Sequence, residues 1–126
     1  MTPPPPDIAL ARAREALVEA RQLRDGAHLA SAVSKAYYAA FYACLAILAT
    51  VGLEPKTHDG VPLVNLHFVK SGKLPPETSQ VLAELEGART TADYDLGAVF
   101  THSGVERSIT LAERFVDDVA SVVGDA

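Results

Sequence analysis

The sequence predicts an all-α fold, an up-down bundle of four helices with one additional short helix. Apolar residues recur at intervals of three and four along several segments, which is the periodicity of a helix with one buried face. Glycine and proline residues separate these segments at positions that start and stop helices. The connections between segments are short, so consecutive helices are expected to pack as antiparallel neighbours.

The composition indicates one domain with a buried core. The chain has 126 residues, of which 48% are hydrophobic. We assign residues 1–6 to a proline-rich N-terminal leader and residues 7–124 to a single helical domain. The formal net charge of −5 makes the chain a poor non-specific binder of nucleic acid, so any RNA contact would be confined to a small basic pocket.

Cysteine usage and the first residues indicate a cytoplasmic protein. Cys44 is the single cysteine, so no disulfide can form within the chain, which suits a reducing compartment. Residues 1–7 lack the basic and apolar regions of a secretory signal. No charged residue lies in residues 36–53, a length close to that of a short membrane span. Tyrosines and alanines dominate this segment, and its neighbours are amphipathic, which favours a central buried helix instead.

The first two helices have recognisable ends. Asp7 is expected to cap a helix that begins at Ile8 and continues to about Arg24, with Gly26 as its stop signal. The second helix is expected over about residues 28–51 and is apolar nearly all round, which places it in the middle of the bundle.

The remaining helices are shorter or begin at turns. Thr57 or Asp59 could cap a short third helix over residues 61–69. Pro75 and Pro76 are expected to open a fourth helix in its first turn, where proline is tolerated.

The fourth and last helices complete the bundle. The fourth helix is expected to end near Tyr94. The last helix is expected to begin at a capping box formed by Ser103 and Glu106, and it carries apolar residues at the alternating spacing of bundle packing.

Polar residues on the fourth helix form the first candidate site. Helix geometry places Glu86, Arg89 and Asp93 on one face, with the arginine between two carboxylates. One interpretation is an exposed ladder of ion pairs with little energetic effect. The other is a pocket arginine that its carboxylates orient towards a phosphate, since a planar guanidinium binds phosphate through two hydrogen bonds.

The loop before the third helix is the second candidate site. Lys56, Thr57 and His58 supply side-chain donors, and backbone amides at a helix start could help them hold an anion. The alternative is that His58 is an ordinary surface or capping histidine. The sequence contains no glycine-rich phosphate loop, paired-cysteine metal site or nucleophile elbow. We therefore expect neither a metal nor a cofactor.

Four motifs together resemble a known family. They are SKAYYAAFYA at 34–43, GLEPKTHDGV at 52–61, HFVK at 67–70 and RTTADYD at 89–95. Their order and spacing are similar to those of HEPN (higher eukaryotes and prokaryotes nucleotide-binding) domains, in particular the small prokaryotic group called UPF0332. The resemblance covers roughly residues 28–95.

The resemblance implies both a fold and several activities. HEPN domains are up-down helical bundles and usually homodimers. Many are metal-independent endoribonucleases that use an arginine followed, after four to six residues, by a histidine. Others are partners of minimal nucleotidyltransferases in toxin–antitoxin pairs, and in some of these a tyrosine beside the motif is adenylylated.

The chain departs from the catalytic motif of that family. The window after Arg89 that should hold a histidine contains Tyr94, Asp95 and Leu96, and His102 lies too far along the chain. We therefore interpret the protein as a nucleotide- or RNA-binding, regulatory partner of a minimal nucleotidyltransferase in a toxin–antitoxin-like pair.

Specific residues carry this interpretation and its alternative. The candidate ligand-binding residues are Lys56, Thr57, Asp93, Tyr94 and Asp95. The alternative is a metal-independent endoribonuclease toxin in which Arg89 and His58 are catalytic. In both cases we expect a homodimer.

Overall fold

The fold is an all-α bundle, as the sequence predicts. A computed structural model describes residues 4–55 and 60–124, and these residues contain helices and no strand. Four long helices and one short helix follow one another, with a π-helical segment after the short helix. They are α1 (Pro6–Asp25), α2 (Leu29–Ala49), α3 (Gly60–Val64), the π-helical segment (Asn65–Val69), α4 (Thr78–Tyr94) and α5 (His102–Gly124).

Helix α2 is the central element of the bundle. It contacts α1, α3, α4 and α5, and its contact with α1 is the most extensive in the fold. Small side chains let these two helices approach closely, because both present alanines at helical spacing. The buried alanines are Ala9, Ala13, Ala16 and Ala20 on α1 and Ala32, Ala36, Ala39, Ala40, Ala43 and Ala46 on α2. By length and composition α2 could cross a membrane, but 61% of its most apolar window is buried inside the bundle. That burial is typical of a core helix.

Larger side chains fill the space between α2 and the other helices. The largest fully buried residues are Phe68, Phe115, Ile47, Leu48, Leu74, Leu85, Ile109, Val64, Val105, Val116 and Val119. Cys44 is also buried, and burial raises the pKa of its thiol to about 12. Cys44 is therefore a core residue with a protonated thiol.

Ion pairs on the surface occupy most of the arginines of the described residues. Between α1 and α5 the partners run in opposite directions along the two helices, as antiparallel packing requires. The pairs are Arg14–Asp117, Arg21–Glu113 and Arg24–Glu106, with Arg107–Glu84 joining α5 to α4. Each exposed pair is worth about 0–1 kcal/mol. Their larger consequence is that these cations are already partnered, which leaves little basic surface for nucleic acid.

Helix α1 begins earlier than predicted. It starts at Pro6 rather than Ile8, so it extends into the predicted leader, and Asp7 lies in its first turn instead of capping it. Proline fits this position because its fixed φ is helical and its missing N–H would have no partner within the helix.

Helix α1 also ends differently. Gly26 was predicted as the stop signal, but its φ is −83°, while Ala27 takes a left-handed φ of 63°. The backbone N–H of His28 donates to the carbonyl oxygen of Leu23 at 2.8 Å, which is the closure of a Schellman motif. The chain therefore places alanine at the position that glycine usually fills.

Two further helix starts differ from the prediction. Helix α4 begins at Thr78, so Pro75 and Pro76 form a turn before the helix rather than its first turn. Helix α5 begins at His102, and the hydroxyl of Thr101 accepts the backbone N–H of Gly104 at 3.0 Å. Thr101 is therefore the residue that caps α5. Ser103, the predicted cap, lies inside the first turn of the helix.

The end of α2 follows the sequence closely. Gly52 has a φ of 75°, and the N–H of Leu53 donates to the carbonyl oxygen of Leu48 at 3.0 Å, so the glycine is the left-handed residue after the helix. Thr57 and Asp59, the predicted caps of the third helix, lie outside the described residues.

The left-handed backbone conformation of Ala27 leads to a prediction about the free energy of unfolding. We expect Ala27→Gly to raise the free energy of unfolding by about 0.5–1 kcal/mol, because glycine adopts this φ without steric strain. The matched control is Ala83→Gly, at an exposed position inside α4, which should lower stability by about 1 kcal/mol. Urea unfolding followed by circular dichroism measures both changes. Equal destabilisation by the two substitutions would contradict the assignment of Ala27 as the helix-ending residue.

Candidate functional site

The site is centred on Arg89, a buried cation on α4. Its side chain is only 8% exposed, so it does not belong to an exposed ladder of ion pairs. A buried charge is costly unless other groups replace the water that solvates it. The neighbours of Arg89 therefore define the chemistry of this site.

Two residues compensate the buried charge. The guanidinium carbon of Arg89 lies 4.7 Å from the ring centroid of Tyr37 on α2, which is a cation–π contact. Its Nη1 atom lies 3.6 Å from Oδ2 of Asp93, one helical turn further along α4. Burial acts to lower the pKa of Arg89, but Tyr37 and Asp93 outweigh it, so the pKa lies above its ordinary value and the side chain stays charged.

Hydrogen bonding of this cation is incomplete. The Nε atom of Arg89 is buried and has no hydrogen-bond partner among the described residues. A buried donor without a partner costs about 1–3 kcal/mol, so a native structure rarely keeps one without a use. Glu86, the second predicted carboxylate, forms no ion pair with Arg89 in the described part of the chain. The arginine turns inward to the Tyr37 ring instead of lying between two acids.

Tyr37 is held as a neutral phenol beside this cation. Burial raises its pKa, and the nearby carboxylate of Glu86 raises it further, while the charge of Arg89 and hydrogen bonding with it act in the opposite direction. The ring of Tyr38 packs edge-on against Tyr37 with centroids 5.4 Å apart. Aromatic residues thus form the inner wall of the site.

A surface cavity adjoins the buried arginine. It encloses about 300 Å³ between the end of α1, the first half of α2 and the end of α4. Its lining residues are Leu23, Ala30, Ser31, Ser34, Lys35, Tyr38, Ala92 and Asp93. Asp93 belongs to both the cavity wall and the ion pair with Arg89, so it connects the buried cation to the open space.

The lining has the chemistry of an anion or nucleotide site. Ser31, Ser34 and Tyr38 offer hydroxyl groups, and Lys35 offers an ammonium group that also pairs with Glu19 at 3.3 Å. Hydroxyl and cationic donors together suit a phosphate, while a carboxylate such as Asp93 can accept a hydrogen bond from a sugar hydroxyl. Among residues 4–55 and 60–124, no group of three or more metal-ligating side chains could hold an ion.

The structure brings together only part of the predicted site. Arg89 and Asp93 are in contact, as their spacing predicted. Lys56, Thr57 and His58 lie outside the described residues, so their approach to Arg89 stays a prediction.

The other two predicted ligand-binding residues have distinct surroundings. Tyr94 is 75% exposed at the end of α4 and lies outside the lining of the cavity. Asp95 accepts the backbone N–H of Gly97 at 3.1 Å, and its own N–H donates to the carbonyl oxygen of Thr91 at 3.0 Å. Asp95 therefore stabilises the turn after α4, and its role in ligand binding is untested.

The sequence reasoning missed the contribution of α2. Ser31, Ser34, Lys35 and Tyr38 were not named as site residues, although their spacing of three, four and seven places them on one face of the helix. A polar stripe on an otherwise apolar central helix was the signal that could have identified this wall. The contact of Tyr37 with Arg89 depends on packing between α2 and α4, which the spacing of residues along either helix does not reveal.

The contact between Arg89 and Tyr37 leads to a testable prediction about the pKa of Tyr37. We expect Arg89→Met to raise the pKa of Tyr37, because the substitution removes the cation that favours the phenolate. Carbon-13 NMR of labelled tyrosine, followed through alkaline pH, measures the titration. The control is Arg114→Met, an arginine on α5 that is not among the groups shifting the pKa of Tyr37. An unchanged or lowered Tyr37 pKa in the Arg89 variant would refute the contact.

Comparison with known proteins agrees with the fold and the motifs. Residues 7–122 match the HEPN domain. A UPF0332 protein from Thermotoga maritima is 36% identical over 115 residues, which cover 90% of this chain and 87% of the relative. A UPF0332 protein from Gloeobacter violaceus is 38% identical over 95 residues, 75% of each chain.

A third relative has a functional name. It is the protein named "Putative toxin MJ0605" from Methanocaldococcus jannaschii, 34% identical over 108 residues, which cover 85% of this chain and 80% of the relative. The family match spans the bundle from α1 to α5, and the relatives align over most of both chains. The predicted resemblance is therefore confirmed, and this chain belongs to the HEPN domain family.

Proposed function

We propose that this protein is a toxin-like HEPN protein that binds a nucleotide or RNA phosphate and is the regulatory partner of a minimal nucleotidyltransferase. The observation that carries the proposal is the buried, permanently charged Arg89 at the edge of a polar cavity. Two relatives that have the word toxin in their names support the toxin-like part of the proposal.

The dimensions of the cavity support a nucleotide-sized ligand. Ligand pockets usually enclose about 300–1,000 Å³, and the cavity beside Arg89 encloses about 300 Å³. A phosphate would meet Lys35 and the serine hydroxyls, while a base could lie on the ring of Tyr38. Surface ion pairs occupy Arg14, Arg21, Arg24 and Arg107, so recognition would be local rather than through a broad basic surface.

The end of α4 supports regulation by a partner enzyme. Tyr94 follows Asp93 in the family motif, and its exposure lets an enzyme reach the hydroxyl. Tyr37, by contrast, is buried against Arg89 and out of reach. The resemblance implies that a nucleotidyltransferase can modify a tyrosine at such a place, so Tyr94 is the residue we propose as its target.

Apolar residues beside the same motif support a homodimer. Leu96 is 95% exposed and Val99 is almost as exposed, directly after Tyr94 and the α4 terminus. Exposed apolar side chains of this kind gain free energy when a second copy covers them. A dimer formed through this segment would bring two Arg89 sites towards each other. The proposed setting is the cytoplasm, where the free thiol of Cys44 stays reduced.

Sedimentation with a nucleotidyltransferase encoded beside the gene tests the proposal. We expect the chain alone to be a dimer at tens of micromolar and to form a larger complex with the enzyme at micromolar concentration. Arg89→Met should weaken the complex at least tenfold, because it removes the cation while keeping an unbranched apolar stem. Arg21→Met, which removes an α1 arginine of the surface ion pairs, is the matched control and should bind normally. A monomeric chain would refute the dimer, and absence of a complex at these concentrations would refute the partnership.

The alternative function is a metal-independent endoribonuclease. The specific observation in its favour is the Nε atom of Arg89, a buried donor that has no partner among the described residues and could stabilise the negative charge that develops on a phosphate in the transition state. His58 would be the general acid or base, replacing the histidine that the motif lacks after Arg89. This arrangement requires the loop that carries His58 to approach α4.

An RNA cleavage assay in EDTA tests the alternative. We expect the wild-type chain to cleave RNA without metal, and both Arg89→Ala and His58→Ala to reduce the rate by at least a hundredfold. His67→Ala, which changes an exposed histidine on the π-helical segment, should retain the rate. If wild-type protein leaves RNA intact, the endoribonuclease hypothesis is wrong, whereas the binding function would be unaffected.

A further inference from the structure

A second cavity lies at the other end of α4. It encloses about 140 Å³ between the start of α4 and the second half of α5. Its lining residues are Pro75, Glu77, Thr78, Val81, Arg114, Phe115 and Asp118. Thr78 and Asp93 are separated by about 22 Å along the helix axis, so this cavity is distinct from the one beside Arg89.

The inner wall of this cavity is apolar with one polar group. Phe115 is buried and forms the floor with Val81. Thr78 is only 4% exposed and lines the cavity, and its hydroxyl forms no hydrogen bond within the described part of the chain. The hydroxyl is therefore available to an occupant of the cavity.

Three charged residues surround the opening without neutralising one another. Glu77, Arg114 and Asp118 form no ion pair among residues 4–55 and 60–124, although Arg114 and Asp118 are one helical turn apart on α5. Asp118 is half-buried, and burial raises its pKa. The charge of Arg114 opposes that rise, whereas Asp117 and Glu77 add to it. A partly desolvated carboxylate that forms no salt bridge among the described residues favours a cationic ligand.

The balance of charges indicates the sign of the ligand. Glu77 directly precedes the first turn of α4, where the helix dipole favours a negative charge. Glu77 and Asp118 bring two negative charges to the opening, whereas Arg114 and the dipole offset about one and a half of them, so a partial negative charge remains. An occupant with a positive group would complete this arrangement, and a purely anionic occupant would not.

The volume limits the size of the ligand. About 140 Å³ is less than half of the roughly 300 Å³ at which pockets for complete ligands begin. A nucleotide would not fit, but a group the size of one long side chain would. The apolar floor requires that the positive group carry a short aliphatic chain.

We propose that the cavity between α4 and α5 binds an alkylammonium or alkylguanidinium group. Its aliphatic chain lies on Phe115 and Val81, its charge pairs with Asp118 and Glu77, and one N–H donates to the Thr78 hydroxyl. The group belongs either to a free amine or to a lysine or arginine side chain of another protein. This proposal is independent of the function assigned to the Arg89 site.

Titration by NMR with defined probes tests this site. We expect n-butylammonium and agmatine to bind with millimolar Kd and to shift the amide resonances of Thr78, Val81 and Phe115. Butanol and butyrate, which have the same chain without the positive charge, should bind at least tenfold more weakly. Equal binding of butanol, tighter binding of butyrate or no binding of either amine would overturn the proposal.

Matched variants locate the bound charge. Asp118→Asn should weaken agmatine binding at least tenfold, and Thr78→Val should weaken it to a smaller extent. Asp117→Asn is the control, because this neighbouring carboxylate pairs with Arg14 and does not line the cavity. Unchanged binding by a folded Asp118→Asn protein, checked by its amide spectrum, would also overturn the proposal.

A further comparison separates the two sources of the group. Nα-acetyl-lysine methylamide presents the same ammonium group on a peptide backbone. Tighter binding of this probe than of n-butylammonium would identify a protein side chain as the natural occupant, and weaker binding would identify a free amine. Either order supports a cation site, while failure of both probes is the negative result described above.

Discussion

The site depends on the requirement that a buried guanidinium be compensated. Water no longer solvates Arg89, so the ring of Tyr37 and the carboxylate of Asp93 must do so. These two groups belong to different helices, and α2 and α4 therefore have to pack in one particular arrangement around the cation. The compensation is incomplete at the Nε atom, which has no hydrogen-bond partner among the described residues. The same contact thus positions the helices and prepares the site.

Helix α2 has two structural roles: it packs the core of the bundle, and it forms one wall of the cavity beside Asp93. Its alanines allow α1 to approach closely, and its larger apolar residues fill the core of the bundle. In the first half of α2, four polar side chains line the cavity beside Asp93 and do not enter the core. They are Ser31, Ser34, Lys35 and Tyr38. A central helix is the element least able to move without disturbing the core. Side chains that it presents to a ligand are therefore held in fixed positions, which favours specific binding.

Charge is distributed unevenly over this acidic bundle. Three arginines on α1 are paired with carboxylates on α5, so they contribute little positive potential to the surface. Arg89 and Arg114 are different, because one is buried against an aromatic ring and the other borders a cavity without an ion-pair partner. Helix α4 therefore has a cavity near each end, and the two cavities differ in size and in the charged residues that line them. We propose phosphate as the ligand of one and a small organic cation as the ligand of the other.

The sequence by itself determined the helical class, the number and order of the long helices and the end of α2 at Gly52, because periodicity and glycine conformation are local properties. It also placed Arg89 and Asp93 on one face, which helix spacing requires. Tertiary structure alone decided that Arg89 turns inward to Tyr37, away from Glu86, since that choice depends on contacts between distant segments. It likewise decided that Ala27, and not Gly26, takes the left-handed conformation, because the packing of α1 against α2 sets the path of the turn.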